Sequence, residues 1–360
     1  MKLSDVIAEL TEERGLDRAA LALIIAEGIL AAYQKKYPDI ELAADYDEKS
    51  DEIKITANKQ IVSSVEDEDS QISVRRARHF NTKANAGETI WVPFEGAVGR
   101  IEILRARQII ASKIRHMEAD AVYKEFKDKE GTIVYGVVHK CERGGVVVKL
   151  RDNLAFLPQS LSVPGDKCVV GFSVRALLKE VLAEPRNENQ LILDRSSDQF
   201  LAKLFELEVP EVFERLVEVK KIVRIPGYKS KVAVISHDKN IDPVGTCVGV
   251  GGVRIKPILK ELGGEKIDVI PWSDSTEDLI INALKPAHVN RVELIDSRSA
   301  DIWLDEDQRS LAIGKMGQNI ALASRMTGVD LQLVPSKAKE SAVLESAEQE
   351  TPVLDAEEAD

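Results

Sequence analysis

The sequence predicts a multidomain α/β protein, and three observations carry that prediction. Residues Gly99–Gly131 keep a helical period for about 28 residues, longer than one small domain needs. Five short β-rich runs follow within about 65 residues. A strand, turn, glycine loop, helix, strand pattern then occurs twice in succession. The length of 360 residues allows two to four domains, and 44% hydrophobic residues suffice for several cores.

Residues 1–127 read as an N-terminal α+β domain with a long connecting helix. The opening "MKLSDVIAELTEER" is amphipathic and acid-containing, unlike a secretory leader, so the expected location is cytoplasmic. "DRAALALIIAEGILAAYQKKY" (Asp17–Tyr37) reads as a helix. Asp17 can cap its first N–H groups, Lys35 and Lys36 suit its negative end, and Pro38 stops it. "DIELAADYD" and "DEIKITANKQIVSSV" read as two strands, with polar residues at Glu48–Asp51 for the turn.

Residues 128–197 change character. "GTIVYGVVHKCERGGVVVKLRDNLAFLPQSL" gives short β-rich runs with Gly144-Gly145 as a hairpin turn, and "GDKCVVGFSVRALL" and "QLILDRSS" add strands. This pattern fits a small OB-type barrel; a β-sandwich fragment is the alternative.

The repeat divides the next stretch into modules 198–275 and 276–335. Each copy reads as a strand, a turn, a G-x-x-G, an amphipathic helix, a glycine stop and another strand. The first glycines, Gly249 and Gly314, are 65 residues apart. The apolar positions after the loops are expected core: Ile255, Ile258, Leu259 and Leu262, then Ile320, Leu322, Ala323 and Met326. Pro257 falls near the first turn of its helix, where proline is tolerated. Residues 336–360, rich in Ala, Glu and Ser with one Pro, read as a disordered acidic tail.

Composition excludes several classes. No run of about 18 apolar residues exists, so no membrane partner is expected. Cys141, Cys168 and Cys247 lie far apart without C-x-x-C spacing, which argues against a zinc site and a disulfide framework. The five histidines are scattered. No metal and no cofactor are expected.

The net charge of −12 at first opposes nucleic-acid binding, but its distribution does not. Residues 1–125 carry about −5, residues 126–335 about −1 and residues 336–360 about −6. Within Val219–Lys256, Lys220, Lys221, Arg224, Lys229, Lys231, Lys239, Arg254 and Lys256 face only Asp238 and Asp242. A local basic field matters to a polyanion more than the total does. The alternative is a solvated charged face.

The glycine loops point the same way. G-x-x-G before a helix permits a tight turn and close backbone approach, and a helix start attracts phosphate. Lys315 adds a mobile charge inside the second loop. Neither copy is a Walker A loop, because Met316 follows Lys315; neither is a dinucleotide fingerprint, because Arg254 stands where the last glycine should. The loop that clamps single-stranded backbone in KH modules remains. The candidate RNA-binding residues are therefore Gly249, Val250, Gly251, Gly252, Arg254 and Lys256 in copy one, and Gly314, Lys315, Met316, Gly317 and Gln318 in copy two. Arg224, Lys229 and Lys231 join them from the basic stretch.

The segments "LFELEVPEV" (Leu204–Val212), "IDPVGTCVGVGG" (Ile241–Gly252), "ELGGEKIDVI" (Glu261–Ile270) and "LAIGKMGQN" (Leu311–Asn319) resemble the bacterial NusA family of transcription termination/antitermination factors. So do "GRI" (Gly99–Ile101) and "KEFKDKEG" (Lys124–Gly131), and the resemblance runs colinearly over about residues 1–335. It implies an N-terminal domain that docks on RNA polymerase core near the flap tip at the RNA exit channel. It implies an OB barrel like the repeats of the largest small-subunit ribosomal protein, then two tandem prokaryotic-type KH modules. Together these form an extended surface for nascent single-stranded RNA. The implied activity is non-catalytic: prolonging pauses, assisting intrinsic termination, and joining other elongation and antitermination factors.

The second loop matches the family pattern. The first departs from it: Val250 and Gly251 stand where the family places a basic residue, although Arg254 and Lys256 follow. The barrel loop before Gly165-Asp166 is shorter than usual. Arg100 matches a polymerase-contact position, with a capping or solvated arginine as the alternative. The tail is too short for the extra helical repeats of some relatives. A monomer is expected, since nothing demands an oligomer.

Two other functions compete. KH and OB modules also occur in phosphorolytic RNA exonucleases, but those need a large catalytic core, and only about 125 residues precede the RNA modules here. No nucleophile elbow, paired carboxylate or metal spacing stands out, so no catalytic residue is expected. A ribosome-associated or free RNA chaperone leaves the long helix and N-terminal domain unexplained.

Overall fold

The structure is a computed structural model that describes residues 7–8, 11–12, 17–47, 50, 52–96, 99–186 and 189–335. Most of the amphipathic opening and all of the acidic tail lie outside the described residues. The chain forms two compact units. The first holds residues up to Asp128 together with Leu182–Gln190; the second holds Lys129–Val181 and the residues from Leu191 onward.

In the first unit, helix α1 spans Arg18–Lys36, with Asp17 accepting from the Ala20 N–H at its start and Lys35 and Lys36 in its last turn. It packs against the long helix α3 (Arg100–Phe126) through Leu21 and Ile25, which meet Ile110, Ile114 and Met117. Gly28 lets the helices approach: a Cβ there would lie 2.3 Å from Ile110 Cγ1. Strands β1 (Leu42–Asp47), β2 (Glu52–Val62), β3 (Gln71–Ser73) and β4 (Thr89–Pro93) form one sheet, with β2 pairing to all three others. Helix α2 (Val74–Phe80) starts at the Ser73 cap. Gln190 closes this unit by donating to the Ala119 carbonyl of α3 at 2.7 Å.

A closed barrel follows, formed by β5 (Ile133–Glu142), β6 (Gly145–Leu150), β7 (Asn153–Pro158), β8 (Ser173–Arg186) and β9 (Asn189–Asp194), in the order β5-β6-β7-β9-β8. Val138, Val148, Leu150, Ala155, Leu178 and Leu193 fill it. Gly145 is the first residue of β6, opposite Glu142, so the turn itself is Arg143-Gly144. The strand expected from Gly165 starts only at Ser173.

The cysteines need a correction. Cys141, near the end of β5, and Cys168, in the segment before β8, are joined by a disulfide with Cα atoms 6.1 Å apart. Separation of 27 residues along the chain concealed this, because barrel closure brings the segment back to β5.

Two modules of one topology follow. The first has helices α4 (Asp198–Glu208), α5 (Pro210–Phe213), α6 (Pro243–Val248) and α7 (Ile255–Glu261) on strands β10 (Val217–Ile225), β11 (Lys229–Ser236) and β12 (Lys266–Pro271). The second has α8 (Thr276–Leu284), α9 (Glu306–Ile313) and α10 (Gln318–Thr327) on β13 (Arg291–Leu294), β14 (Ser299–Leu304) and β15 (Asp330–Pro335). In each the first two strands are antiparallel and the last two parallel. Phe200, Leu204, Phe205, Ile258 and Leu262 pack the first core. Each such side chain, fully buried, contributes roughly 1.5–3 kcal/mol. The second core is shared: Val223, Ala233 and Ile270 of the first sheet pack with Ile280, Leu284, Leu322, Ala323 and Met326 of the second module. Leu259 and Ile320 are only half-buried.

Candidate nucleic-acid interface

Each glycine loop joins two helices. The sequence pattern predicts a turn before each loop; the structure places α6 and α9 there instead. The signal was the aspartate ahead of each. Asp242 accepts from the Val244 N–H with Pro243 in the first helical turn, and Asp305 stands at the start of α9.

The two loops have the same backbone. Gly249 (φ 74, ψ 162) matches Gly314 (φ 72, ψ −179), in a region that L side chains do not enter. Gly251 (φ 62, ψ 18) matches Met316 (φ 54, ψ 28), and Gly252 matches Gly317, with φ 76 and 73. A Cβ on Gly314 would lie 2.7 Å from Asn319 Cβ; one on Gly249 would lie 3.0 Å from Arg254 Cγ. Arg254 and Asn319 thus occupy equivalent places, each behind its loop.

The tips face solvent. Val250 is 95% exposed and Met316 85% exposed. Lys315 and Lys256 are exposed as well, while Gln318 is half-buried. Arg254 is turned inward, donating to the Thr246 carbonyl and to Glu211, each at 2.9 Å. It fixes the loop from behind.

The basic stretch divides in two, which corrects the expectation for Arg224 and Lys231. The Arg224 side chain is wholly buried and bidentate to Glu265 at 2.8 Å for both bonds. It also donates to the carbonyls of Arg195 and Ser197. Glu265 further accepts from the Gly227 N–H and the Ser230 hydroxyl. Lys231, also wholly buried, donates to Asp268 at 2.8 Å and to the Lys285 carbonyl. Burial pushes its ammonium below the usual lysine range, and Asp268 opposes that shift. Neither cation can meet a phosphate where it stands. Both lie on β strands whose alternating faces composition does not reveal. Lys229 is largely covered and joins Asp268 and Asn319.

The sequence pattern did not single out Arg195. It is 5% exposed and pairs with Asp166 of the barrel at 2.8 Å and Glu261 of α7 at 2.6 Å. Burial opposes its charge, but the two carboxylates outweigh burial and hold its guanidinium above the usual arginine range. Arg195 ties the barrel to the first module. The "DRSS" run, with charge between a strand and a cap, was the only signal.

This tie shapes an open groove of about 1630 Å³ between barrel and first loop. Tyr135, Phe172 and Arg175 line it from the barrel, and Val250, Val253 and Lys256 from the loop. Phe172 is 65% exposed, and the Arg175 guanidinium lies 5.5 Å from the Tyr135 ring centre. Exposed rings beside cations can stack bases and hold phosphates. Among the described residues no cluster of three or more His, Cys, Asp or Glu is placed to hold a metal ion. No helix among them is long and apolar enough to cross a membrane.

Comparison with known proteins agrees with this geometry. The NusA N-terminal domain profile matches residues 2–120. The NusA-like first KH domain matches residues 195–272 and the NusA-like second KH domain residues 276–341. The transcription termination/antitermination protein NusA of Thermus thermophilus is 34% identical over 364 residues, covering 96% of this chain and 93% of its own. Its namesake in Halalkalibacterium halodurans is 31% identical over 362 residues, covering 99% and 94%. That of Rickettsia conorii is 33% identical over 342 residues, covering 93% and 67%. The chain belongs to the NusA family of transcription termination/antitermination proteins.

Proposed function

We propose that this chain is a non-catalytic transcription elongation factor. It binds RNA polymerase core and nascent single-stranded RNA, and so modulates pausing, intrinsic termination and antitermination. The observation that carries the reading is the pair of matching glycine loops, each with an exposed tip, on modules that share one core. A strand of RNA can be gripped at both loops without ordering one module against the other. We read the closed barrel as OB-type, because five strands close with β7 and β9 parallel and the exposed aromatic face borders the first loop.

Polymerase docking falls to the first unit. Arg100 is exposed at the start of α3, beside Ile101, Ile103 and Leu104, which are 78%, 55% and 60% exposed. Gly99 makes no side-chain cap there, and a cation at a helix start gains nothing from the dipole. An apolar cluster next to an arginine suits a protein partner. The factor acts as a monomer in the cytoplasm in this reading.

Single-round transcription at a hairpin-stabilised pause tests it. Added protein should lengthen the pause, and Arg100→Glu should reduce that effect while RNA binding persists. An unchanged pause with RNA binding intact would leave a free RNA-binding protein instead.

A further inference from the structure

Cys141 and Cys168 are both exposed, and both border the groove between the barrel and the first loop. The segment before β8 carries Val169, Val170 and Phe172, exposed at 43%, 64% and 65%. Its two ends are held by other means. Asp166 pairs with Arg195, and Gly171 donates to the Val138 carbonyl at 2.9 Å. Between them the disulfide ties Lys167–Val170 to the end of β5. This bond therefore sets the position of Lys167 and Cys168, which line the proposed RNA groove.

We propose that Cys141 and Cys168 are a reversible thiol–disulfide pair that tunes how tightly the groove holds single-stranded RNA, an inference that rests on the RNA-binding reading above. The co-reactant is a low-molecular-weight disulfide, R–S–S–R. One cysteine thiolate attacks it, forming a mixed disulfide and releasing one RS⁻. The second thiolate attacks the protein sulfur of that mixed disulfide, closing the bridge and releasing the other RS⁻. Two protein thiols are oxidised, one small disulfide is reduced to two thiols, and the two protein protons pass to the leaving groups.

The surroundings suit this exchange. Both cysteines are exposed; Lys167 precedes Cys168, and Lys140 and Arg143 flank Cys141, with Lys140 paired to Glu142 at 2.9 Å. The Cα separation of 6.1 Å lies inside the range for a bridge without backbone movement. Cys247 stays out: it is fully buried, and burial pushes its thiol up to about 12. The closed bridge pre-positions Lys167 and Cys168, so RNA does not have to order them on binding.

The full chain is equilibrated with oxidised or with reduced glutathione, and its free thiols are counted by mass spectrometry. Binding to a labelled single-stranded RNA is then followed by fluorescence anisotropy. The reduced form should bind about three- to tenfold more weakly, and reoxidation should restore the affinity. Cys141→Ser/Cys168→Ser should match the reduced form and ignore glutathione. Equal affinity of two forms with verified thiol counts overturns the switch and leaves RNA binding standing. A pair that stays reduced in oxidised glutathione also overturns it. Absence of RNA binding in both forms overturns the RNA reading and the switch together. If the double variant misfolds, the two wild-type forms decide the question.

Discussion

Lys229 Nζ, on the middle strand of the first sheet, donates to Asn319 Oδ1 of the second module at 3.0 Å. The Asn319 amide in turn faces the carbonyls of Leu284, Leu311 and Ala312 at 3.1, 3.3 and 3.2 Å. The first module thereby positions the residue that backs the second loop. Asn319→Ala leaves buried carbonyls and an ammonium without this partner. The expected loss is about 2–3 kcal/mol in urea unfolding, with weakened RNA binding. Full stability together with full RNA affinity would show that this amide does not hold the loop.

Glu265 carries the heaviest structural load in the first module, because four donors converge on a wholly buried carboxylate. Removing it strands the Arg224 charge. Glu265→Ala should cost about 3–5 kcal/mol, read as a lower urea midpoint. Arg224→Met/Glu265→Leu should recover much of that loss, since the penalty comes from the unpaired charge. A double variant as unstable as the single one would refute this account.

Much of the fold was legible, and the reasons are local. Asp17, Lys35, Lys36 and Pro38 mark α1 because caps and dipoles act through neighbours in sequence. Gly249 and Gly314 were legible as a pair because only glycine takes that backbone. What could not be read depended on strand facing and chain return. Arg224 and Lys231 count as basic in composition yet point into the protein. Cys141 and Cys168 become neighbours only when the barrel closes.

This distinction changes which cations should matter to RNA. Arg254 is bonded to Glu211 and supports the loop from inside, whereas Lys256 and Lys315 are exposed. Lys256→Ala/Lys315→Ala should weaken single-stranded RNA binding and reduce the salt slope by about 0.7 for each phosphate no longer neutralised. Stability should stay within about 0.5 kcal/mol, as for other surface changes. Arg254→Ala should instead lower stability along with affinity. A salt slope that survives the double lysine change would remove both side chains from the interface.

Cys247 should be silent in the native chain. Its thiol is raised from 9.0 to about 12, first by burial and then by Glu211. The raised value means that its stabilising contribution is full below pH 9 and is lost as pH rises toward about 12. With the Cys141–Cys168 bridge closed, a thiol reagent at mildly alkaline pH should find no reactive group until denaturant exposes one. Rapid reaction of the native protein under those conditions would contradict the burial.

Met316 separates fold from function most cleanly. Its φ of 54° is left-handed, a conformation that costs an L residue about 1–2 kcal/mol, and the equivalent place in the first loop is Gly251. Met316→Gly removes that strain, although glycine gives back part of the gain through unfolded-state entropy. The expected net change is a stabilisation of up to about 1 kcal/mol. The side chain is 85% exposed, so no packing is lost. RNA affinity should nevertheless fall, because the proposed RNA contact loses the exposed side chain at the loop tip. Gly314→Ala should do the opposite to the fold: its new Cβ would sit 2.7 Å from Asn319 Cβ, and both stability and binding should drop. Urea unfolding and anisotropy on the same preparations give both numbers. A Met316→Gly variant that is less stable would mean the side chain packs, and one with unchanged affinity would mean the tip does not touch RNA.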